Sequence, residues 1–231
     1  MRSVVITGVS RGLGAALFDE FYASGDRILA VGRRFTETQQ GLAATEPERV
    51  LLRRCDFGDP LSQPDAVELA EFVRGPSGHA VLVLNAGVVT PIGAVGEVPP
   101  ADLARSAAVN LAAPMVLTNA FLDAAAAAGR RSVLFVSSGA ARRVVGGWAA
   151  YCATKAGAEM FFAALAEQEG RRTHVATVNP GVMDTGMQAE IREATGYFPD
   201  LQRYRDRYAD GELASPAEVA HRIVAEHLPG D

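Results

Sequence analysis

Lys155 is the only lysine among the 22 lysine and arginine residues of the chain, and Tyr151 precedes it by four positions. On a helix this spacing places both side chains on one face, with Cβ atoms about 5–6 Å apart. A lysine ammonium can release its proton, whereas an arginine guanidinium stays charged. An ammonium about 4 Å from a phenol could lower its pKa of about 10 by up to three units. The pair is therefore a candidate acid for proton transfer, with arginine bias as the alternative explanation of the single lysine.

A glycine-rich segment follows the first apolar run of the chain. It reads Thr7-Gly8-Val9-Ser10-Arg11-Gly12-Leu13-Gly14 and leads into a helical pattern. Glycines at such a turn let the backbone approach a pyrophosphate, which the N–H groups of the helix N-terminus stabilise. The spacing GxxxGxG differs from the common GxGxxG, and the turn gains weight only from its place directly after a first strand.

Short apolar runs alternate with longer helical patterns. The runs lack in/out alternation, which is typical of parallel strands buried on both faces. Strict alternation of strand and helix predicts an α/β fold with a doubly wound, Rossmann-type parallel sheet, in a single domain over residues 1–231. The predicted strands are 3–7, 27–31, 50–53, 80–84, 132–136 and 174–178, and the predicted helices are 12–24, 36–45, 63–73, 101–128, 148–169 and 216–228.

The segment 181–212 interrupts this alternation and carries several methionine and aromatic residues. Excursions of this length are often lids or binding loops, and a helical insertion packed on the surface fits the length equally well. The segment is a candidate substrate loop.

Composition excludes several function classes. The net charge of −5 disfavours nucleic-acid binding. The apolar stretch at 111–128 is interrupted by Thr118, Asn119 and Asp123, so we expect no membrane span. Four histidines lie far apart without metal-ligand spacing, so no metal site is expected. Two cysteines and the absence of a targeting segment ahead of the first strand favour a cytoplasmic protein with reduced thiols.

The motifs together resemble the short-chain dehydrogenase/reductase family. The resemblance covers nearly the whole chain, in order and at the right spacings. It rests on TGxxxGxG at 7–14, Asn85-Ala86-Gly87, Ser138, Tyr151-xxx-Lys155 and Asn179-Pro180-Gly181.

The resemblance implies a role for each of four residues. Tyr151 would protonate the developing alkoxide as hydride arrives, and Lys155 would bind the nicotinamide ribose and pass protons onward. Ser138 would hold the substrate carbonyl oxygen, and Asn110 would position a proton-relay water. Two alternatives stay open: Ser138 could be a strand-end cap, with Ser137 as a competing candidate, and Asn110 could be a buried polar tie.

Charge at the expected cofactor site favours NADP(H) over NAD(H). NAD-preferring sites carry an acidic residue at the end of the second strand, whereas this chain has Arg33 and Arg34 there and Arg11 in the glycine turn. Guanidinium groups bind a 2′-phosphate well. Asp56-Phe57 resembles the pair that contacts adenine, with Asp56 as a helix cap the alternative. The expected cofactor contacts are Gly8, Ser10, Arg11, Gly12, Leu13, Gly14, Arg33, Arg34, Asp56, Phe57, Asn85, Ala86, Gly87, Tyr151, Lys155, Pro180, Gly181, Val182 and Thr185.

Within the family, the segments 147–155 and 180–188 look like those of sepiapterin reductases and bacterial benzil reductases. These enzymes reduce a carbonyl beside a second carbonyl or a ring. Sepiapterin reductases hold their pterin through an aspartate in a C-terminal extension, whereas this chain ends at Asp231 just after the last predicted helix. We therefore expect that anchor and the usual seventh strand to be missing.

The missing anchor makes a hydrophobic 1,2-diketone the favoured substrate. A pterin is the alternative substrate, and an NADP(H)-sensing binding protein is the alternative outside enzymes. A homodimer through the helices at 101–128 and 148–169 is expected, because the missing strand removes the other usual interface. The residues expected to enclose the substrate are Ser138, Val144, Trp148, Tyr151, Met183 and Met187.

Overall fold

Six parallel strands form one sheet in the computed structural model, which describes residues 1–74 and 78–228. Their order is β3-β2-β1-β4-β5-β6, and every neighbouring pair is parallel. The predicted doubly wound, Rossmann-type sheet is confirmed, and no seventh strand joins it in the described ranges. The strands are β1 (Ser3–Thr7), β2 (Arg27–Gly32), β3 (Val50–Arg54), β4 (His79–Leu84), β5 (Arg130–Val136) and β6 (His174–Val178).

Helices cover both faces of the sheet. Two of them, Gly186–Arg192 and Leu201–Ala209, lie in the predicted substrate loop. A π-helical turn at Ala108–Ala112 divides the single helix predicted at 101–128. Pro100, Pro114 and Pro216 each stand in the first helical turn, where a missing N–H costs nothing. The helices are α1 (Gly12–Ala23), α2 (Glu37–Thr45), α3 (Ala66–Val73), α4 (Pro100–Ala107), α5 (Ala113–Ala124), α6 (Ala149–Glu169), α7 (Gly186–Arg192), α8 (Leu201–Ala209) and α9 (Pro216–His227).

Two apolar layers hold the helices against the sheet. On one face, Leu17 and Phe18 of α1 pack with Ile223 of α9 and the inner strands. On the other face, α3, α5 and α6 pack on the sheet, and the rings of Phe135 and Phe162 stack with centroids 4.6 Å apart. Since both faces are covered, the strands need apolar side chains in both directions, as their sequences show.

The run Pro100–Ala124 is 25 residues long and apolar enough to pass a length-and-composition test for a membrane span. Its side chains Leu117 and Phe121 are fully buried within the second apolar layer. We therefore assign it as a core helix of the domain. The predicted single domain over 1–231 stays a prediction, and its residues 75–77 and 229–231 lie outside the described part.

Strand order fixes where a site can form. β1 is flanked by β2 on one side and β4 on the other, so the chain reverses its direction of winding there. In such sheets the loops after the carboxyl ends of the strands diverge at this point and leave a crevice.

Candidate active site

A cleft of about 530 Å³ lies at the carboxyl ends of the strands. Loops following all six strands contribute to its walls. All nineteen residues expected to contact the cofactor line it, and so do Ser138, Trp148, Met183 and Met187 from the expected substrate set. Asn110 and Val144 are not part of the lining.

The glycine turn after β1 has the shape that a phosphate site needs. Gly8 and Gly12 have φ values of +73° and +55°, a region that favours glycine. A Cβ at Gly14 would stand 2.0 Å from the Gly8 carbonyl oxygen, so only glycine lets α1 approach the turn this closely. The N-cap residue Arg11 makes no side-chain cap, and the first turn of α1 carries no acidic residue. The N-terminal end of α1 therefore suits a pyrophosphate.

Thr7 is a structural residue of the site to which the sequence motif assigned no role of its own. Its Oγ1 accepts hydrogen bonds from the backbone N–H groups of Asn85 and Ala86, both at 3.0 Å. Asn85 Nδ2 donates in return to the carbonyl oxygens of Thr7 and Gly8, both at 3.1 Å. These bonds tie the glycine turn to the loop after β4. The signal was present, since Thr7 opens the TGxxxGxG motif.

Arginines gather at the end of the cleft that follows β2 and β3. Arg33 and Arg34 are exposed and line it, whereas Arg11 lines the cleft from the glycine turn. The guanidinium of Arg11 forms an ion pair at 2.7 Å with Glu190 of α7. That pair joins the glycine turn to the candidate substrate loop.

Asp56 caps a turn, not a helix. Its carboxylate accepts from the Gly58 N–H at 3.0 Å and from Arg105 at 2.9 Å, and together they hold the pKa of Asp56 below its usual value. The helix-cap alternative for Asp56 is not found, because Asp59 caps the 3₁₀ turn that follows.

Tyr151 and Lys155 lie on the buried face of α6, one turn apart, as predicted. Lys155 Nζ donates to the Val136 carbonyl oxygen at 2.9 Å and lies 5.9 Å from the centre of the Tyr151 ring. Burial lowers the pKa of Lys155 to about 8, and the Glu159 carboxylate opposes that shift.

The expected lowering of the Tyr151 pKa is not found. Burial raises the pKa of Tyr151, and a hydrogen bond with the Ser138 side chain only partly offsets the rise. The physical reason is that the Tyr151 side chain is buried in an apolar cluster and packs against the Trp148 ring, and desolvation disfavours the charged form of the phenol.

The structure separates the two neighbouring serines. Ser138 bonds the Tyr151 side chain and accepts from the Ala140 N–H at 3.2 Å, so it both caps a 3₁₀ turn and faces the cleft. Ser137 Oγ instead donates to Glu159 at 2.7 Å. Of the two candidates, Ser138 is therefore the one placed beside Tyr151.

Asn110 lies in the π-helical turn and is fully buried. Its side-chain amide bonds both backbone groups of Val88, with Oδ1 accepting at 2.9 Å and Nδ2 donating at 2.8 Å. It therefore ties the loop after β4 to the helix, as the polar-tie alternative predicts. π-helical turns recur at functional sites, so the location of Asn110 is compatible with a catalytic role. Its role in positioning a proton-relay water stays a prediction.

An aromatic wall stands over Tyr151. The Trp148 ring contacts the rings of Tyr151, Phe198 and Tyr204 at centroid distances of 5.3, 5.0 and 5.5 Å. Phe198 and Tyr204 come from the segment 181–212. Sequence reasoning missed Val89 as a lining residue and placed Ile191 and Tyr204 only within the candidate substrate loop. Ile191 follows Met187 by four positions on the helix Gly186–Arg192, which was a usable signal.

The expectation for Val144 is wrong. Its side chain is 97% exposed, whereas Val145 is buried in the aromatic cluster. Of the two neighbouring valines, Val145 therefore takes the inward position.

The segment 181–212 packs closely on the rest of the cleft. Met183 forms an isolated parallel bridge with Ala214. A Cβ at Gly147 would stand 2.1 Å from the Tyr197 carbonyl oxygen, and a Cβ at Gly196 would stand 2.8 Å from that of Ile92. Glycines thus allow the segment to close one side of the cleft. In residues 1–74 and 78–228 no cluster of three or more His, Cys, Asp or Glu side chains could hold a metal ion.

Comparisons with known proteins agree with this geometry. A family profile described as short chain dehydrogenase matches residues 2–196. Benzil reductases ((S)-benzoin forming) from Bacillus subtilis (strain 168) and Bacillus cereus are 33% and 31% identical, covering 97% and 96% of this chain and 93% and 92% of their own. A sepiapterin reductase from Xenopus tropicalis is 31% identical over 98% of this chain and 91% of its own.

Solved structures give the same likeness. The KRED1-Pglu enzyme superposes with a TM-score of 0.85 at 31% identity, over 99% of this chain and 95% of that one. A short chain dehydrogenase from Burkholderia cenocepacia J2315 in complex with NADP has a TM-score of 0.75 at 26% identity, over 96% and 88% of the two chains.

Proposed function

This chain belongs to the short-chain dehydrogenase/reductase family and is an oxidoreductase of the carbonyl-reductase type, and from this we propose that it reduces one carbonyl of a hydrophobic 1,2-diketone, using NADPH and Tyr151 as the proton donor. One observation carries the proposal. The Tyr151 phenol, bonded to Ser138, stands in the same cleft as an uncapped, glycine-lined helix N-terminus.

Tyr151 supplies the proton. Because burial raises its pKa, the phenol keeps its proton through neutral pH, so the proton that the alkoxide needs is present on Tyr151. Ser138, as its hydrogen-bond partner, holds the substrate carbonyl oxygen next to the phenol. NADPH, when bound, supplies the hydride.

Lys155 contributes a positive charge one helical turn away. Its pKa of about 8 leaves it mostly charged at neutral pH while allowing it to give up a proton, which an arginine would not do. We assign to it the nicotinamide ribose and the onward transfer of protons.

The preference for NADPH rests on charge. Arg33 and Arg34 line the end of the cleft after β2 that would receive the adenosine ribose, and no carboxylate follows β2 directly. Arg11 adds a positive charge from the glycine turn. A 2′-phosphate would gain charge-assisted hydrogen bonds there. The NADP-bound relative at 26% identity supports the same choice.

The substrate class rests on the wall above Tyr151. Trp148, Met187, Ile191 and Tyr204 make that wall apolar and partly aromatic, which suits an aryl ketone. The two bacillary relatives are described as benzil reductases. The pterin alternative rests on the sepiapterin reductase relative. The NADP(H)-sensing alternative requires binding without turnover.

We also propose a cytoplasmic homodimer. Met160 on α6 and Val116 on α5 are exposed apolar side chains on the two helices expected at the interface. Cys55 and Cys152 are free thiols, as a reducing compartment allows. Light scattering after gel filtration tests the dimer, and a monomer at micromolar concentration would contradict it.

Parallel assays of NADPH oxidation with benzil and with sepiapterin test the proposed activity. We expect a higher kcat/KM for benzil. A clear preference for sepiapterin would make the pterin alternative correct, and tight NADPH binding with no turnover of any ketone would favour the sensing protein.

A further inference from the structure

We propose that Glu159 is a positioning residue for the reaction: its carboxylate, fixed by Ser137 and Arg142, sustains the positive charge of Lys155. The inference rests on the role proposed above for Lys155. It concerns a partly buried network on the side of α6 that faces the end of β5.

Glu159 follows Lys155 by four positions on α6, so their side chains are neighbours on one helix face. The side chain of Glu159 is only 17% exposed. Buried carboxylates are costly unless they are paired or hydrogen-bonded. A carboxylate at this position therefore needs hydrogen-bond or ion-pair partners.

Two partners hold the carboxylate in place. Ser137 Oγ donates to Oε1 at 2.7 Å, and Arg142 Nε donates to Oε2 at 2.9 Å. Ser137 follows β5 directly, next to Val136, whose carbonyl oxygen accepts the Lys155 ammonium. The end of β5 thus orients both charges of the helix, the ammonium through Val136 and the carboxylate through Ser137.

Lys155 needs such support because its surroundings disfavour a charge. It is 4% exposed, and the groups around Nζ are the Val136 carbonyl, the Phe135 ring, the Tyr151 ring and the Gly87 backbone. In the described part of the chain, Glu159 is the charged side chain whose field acts on this ammonium, and it opposes the lowering of the Lys155 pKa by burial.

The single lysine of the chain makes this testable by a direct measurement. Protein grown with [13Cε]lysine gives one lysine signal, whose titration reports the pKa of Lys155 without assignment. Glu159→Gln keeps the size and hydrogen-bonding capacity of the side chain but removes its charge. We expect it to lower the Lys155 pKa by about one unit, given the spacing of the two groups.

Glu167→Gln is the matched control, because Glu167 is an exposed glutamate of the same helix, about three turns beyond Lys155. It makes the same change of net charge and should leave the Lys155 pKa unchanged. Arg142→Gln gives a second variant that does not disturb the core, since Arg142 is 76% exposed. It removes one of the two groups that fix the Glu159 carboxylate, so the Lys155 pKa should fall, by less than in Glu159→Gln.

The pH profile of benzil reduction completes the test. If Lys155 must be charged, Glu159→Gln should lower kcat/KM about five-fold at pH 8 and hardly at all at pH 6. An unchanged lysine pKa in Glu159→Gln, a rise in Arg142→Gln, or a shifted pKa with an unshifted pH profile would each overturn the inference. Failure of the proposed function is distinct, since a wild-type protein that reduces no diketone leaves the NMR titration valid.

Discussion

The ammonium of Lys155 lies 5.9 Å from the centre of the Tyr151 ring, and its hydrogen bond goes to the Val136 carbonyl oxygen at 2.9 Å. The end of β5, not the phenol, therefore holds the lysine. Ser138, and not Lys155, is the side chain that opposes the rise in the Tyr151 pKa caused by burial.

This burial gives the stability of the protein a defined pH dependence. The folded-state pKa of Lys155, about 8, lies below its ordinary value of 10.5, because desolvation disfavours the charged form. Between these values the unfolded chain holds the proton and the folded chain does not, so wild-type stability rises with pH. Relative to Lys155→Met, the wild type should gain up to about 1.4 kcal/mol per pH unit in this window. Urea unfolding of both proteins from pH 7 to pH 10 measures the gain. An unfolding free energy that changed with pH equally in the two proteins would contradict the prediction.

Arg33 should distinguish the two nicotinamide cofactors. Arg33→Ser removes a guanidinium from the end of the cleft after β2, so it should weaken NADPH binding by about 10-fold or more and leave NADH binding nearly unchanged. Fluorescence titration with each cofactor measures both constants. Arg171→Ser, at an exposed position beyond α6, is the control and should change neither. An equal loss for NADPH and NADH would argue against a 2′-phosphate contact.

Two helical glycines should respond oppositely to the same substitution. In Gly14→Ala the added methyl would meet the Gly8 carbonyl oxygen, so we expect a loss of more than about 3 kcal/mol in unfolding free energy. Gly41, in the middle of α2, has open space around it, so Gly41→Ala should stabilise the protein by about 0.5–1 kcal/mol. The urea midpoints of the two variants decide this, and similar midpoints would show that the close approach at Gly14 is not required.

Met187 and Val144 test the boundary of the substrate wall. Met187 lines the cleft, so Met187→Ala should raise the KM for benzil by about 10-fold. Val144 is almost fully exposed, so Val144→Ala should change the KM by less than about two-fold. Steady-state kinetics at saturating NADPH measure both, and a large effect at Val144 would mean that its loop folds over the substrate.

Local signals in the sequence were enough for the sheet and for most of the cleft. Uninterrupted apolar runs located all six strands, and glycine spacing located the turn at Gly8–Gly14. The break at Ala108–Ala112 could not be predicted, because a π-helical turn has no distinct apolar pattern. Val144 and Val145 were indistinguishable without the direction of the loop. The pKa of Tyr151 depended on enclosure by Phe198 and Tyr204, residues distant in sequence whose burial only the tertiary fold determines.

The central claim is that Tyr151 is the proton donor in carbonyl reduction, and Tyr151→Phe tests it most directly. The variant keeps the aromatic packing against Trp148 and loses only the hydroxyl. With benzil and saturating NADPH, we predict that kcat falls by about 10²–10⁴-fold while the NADPH dissociation constant changes little. A variant that reduced benzil at the wild-type rate would contradict the account.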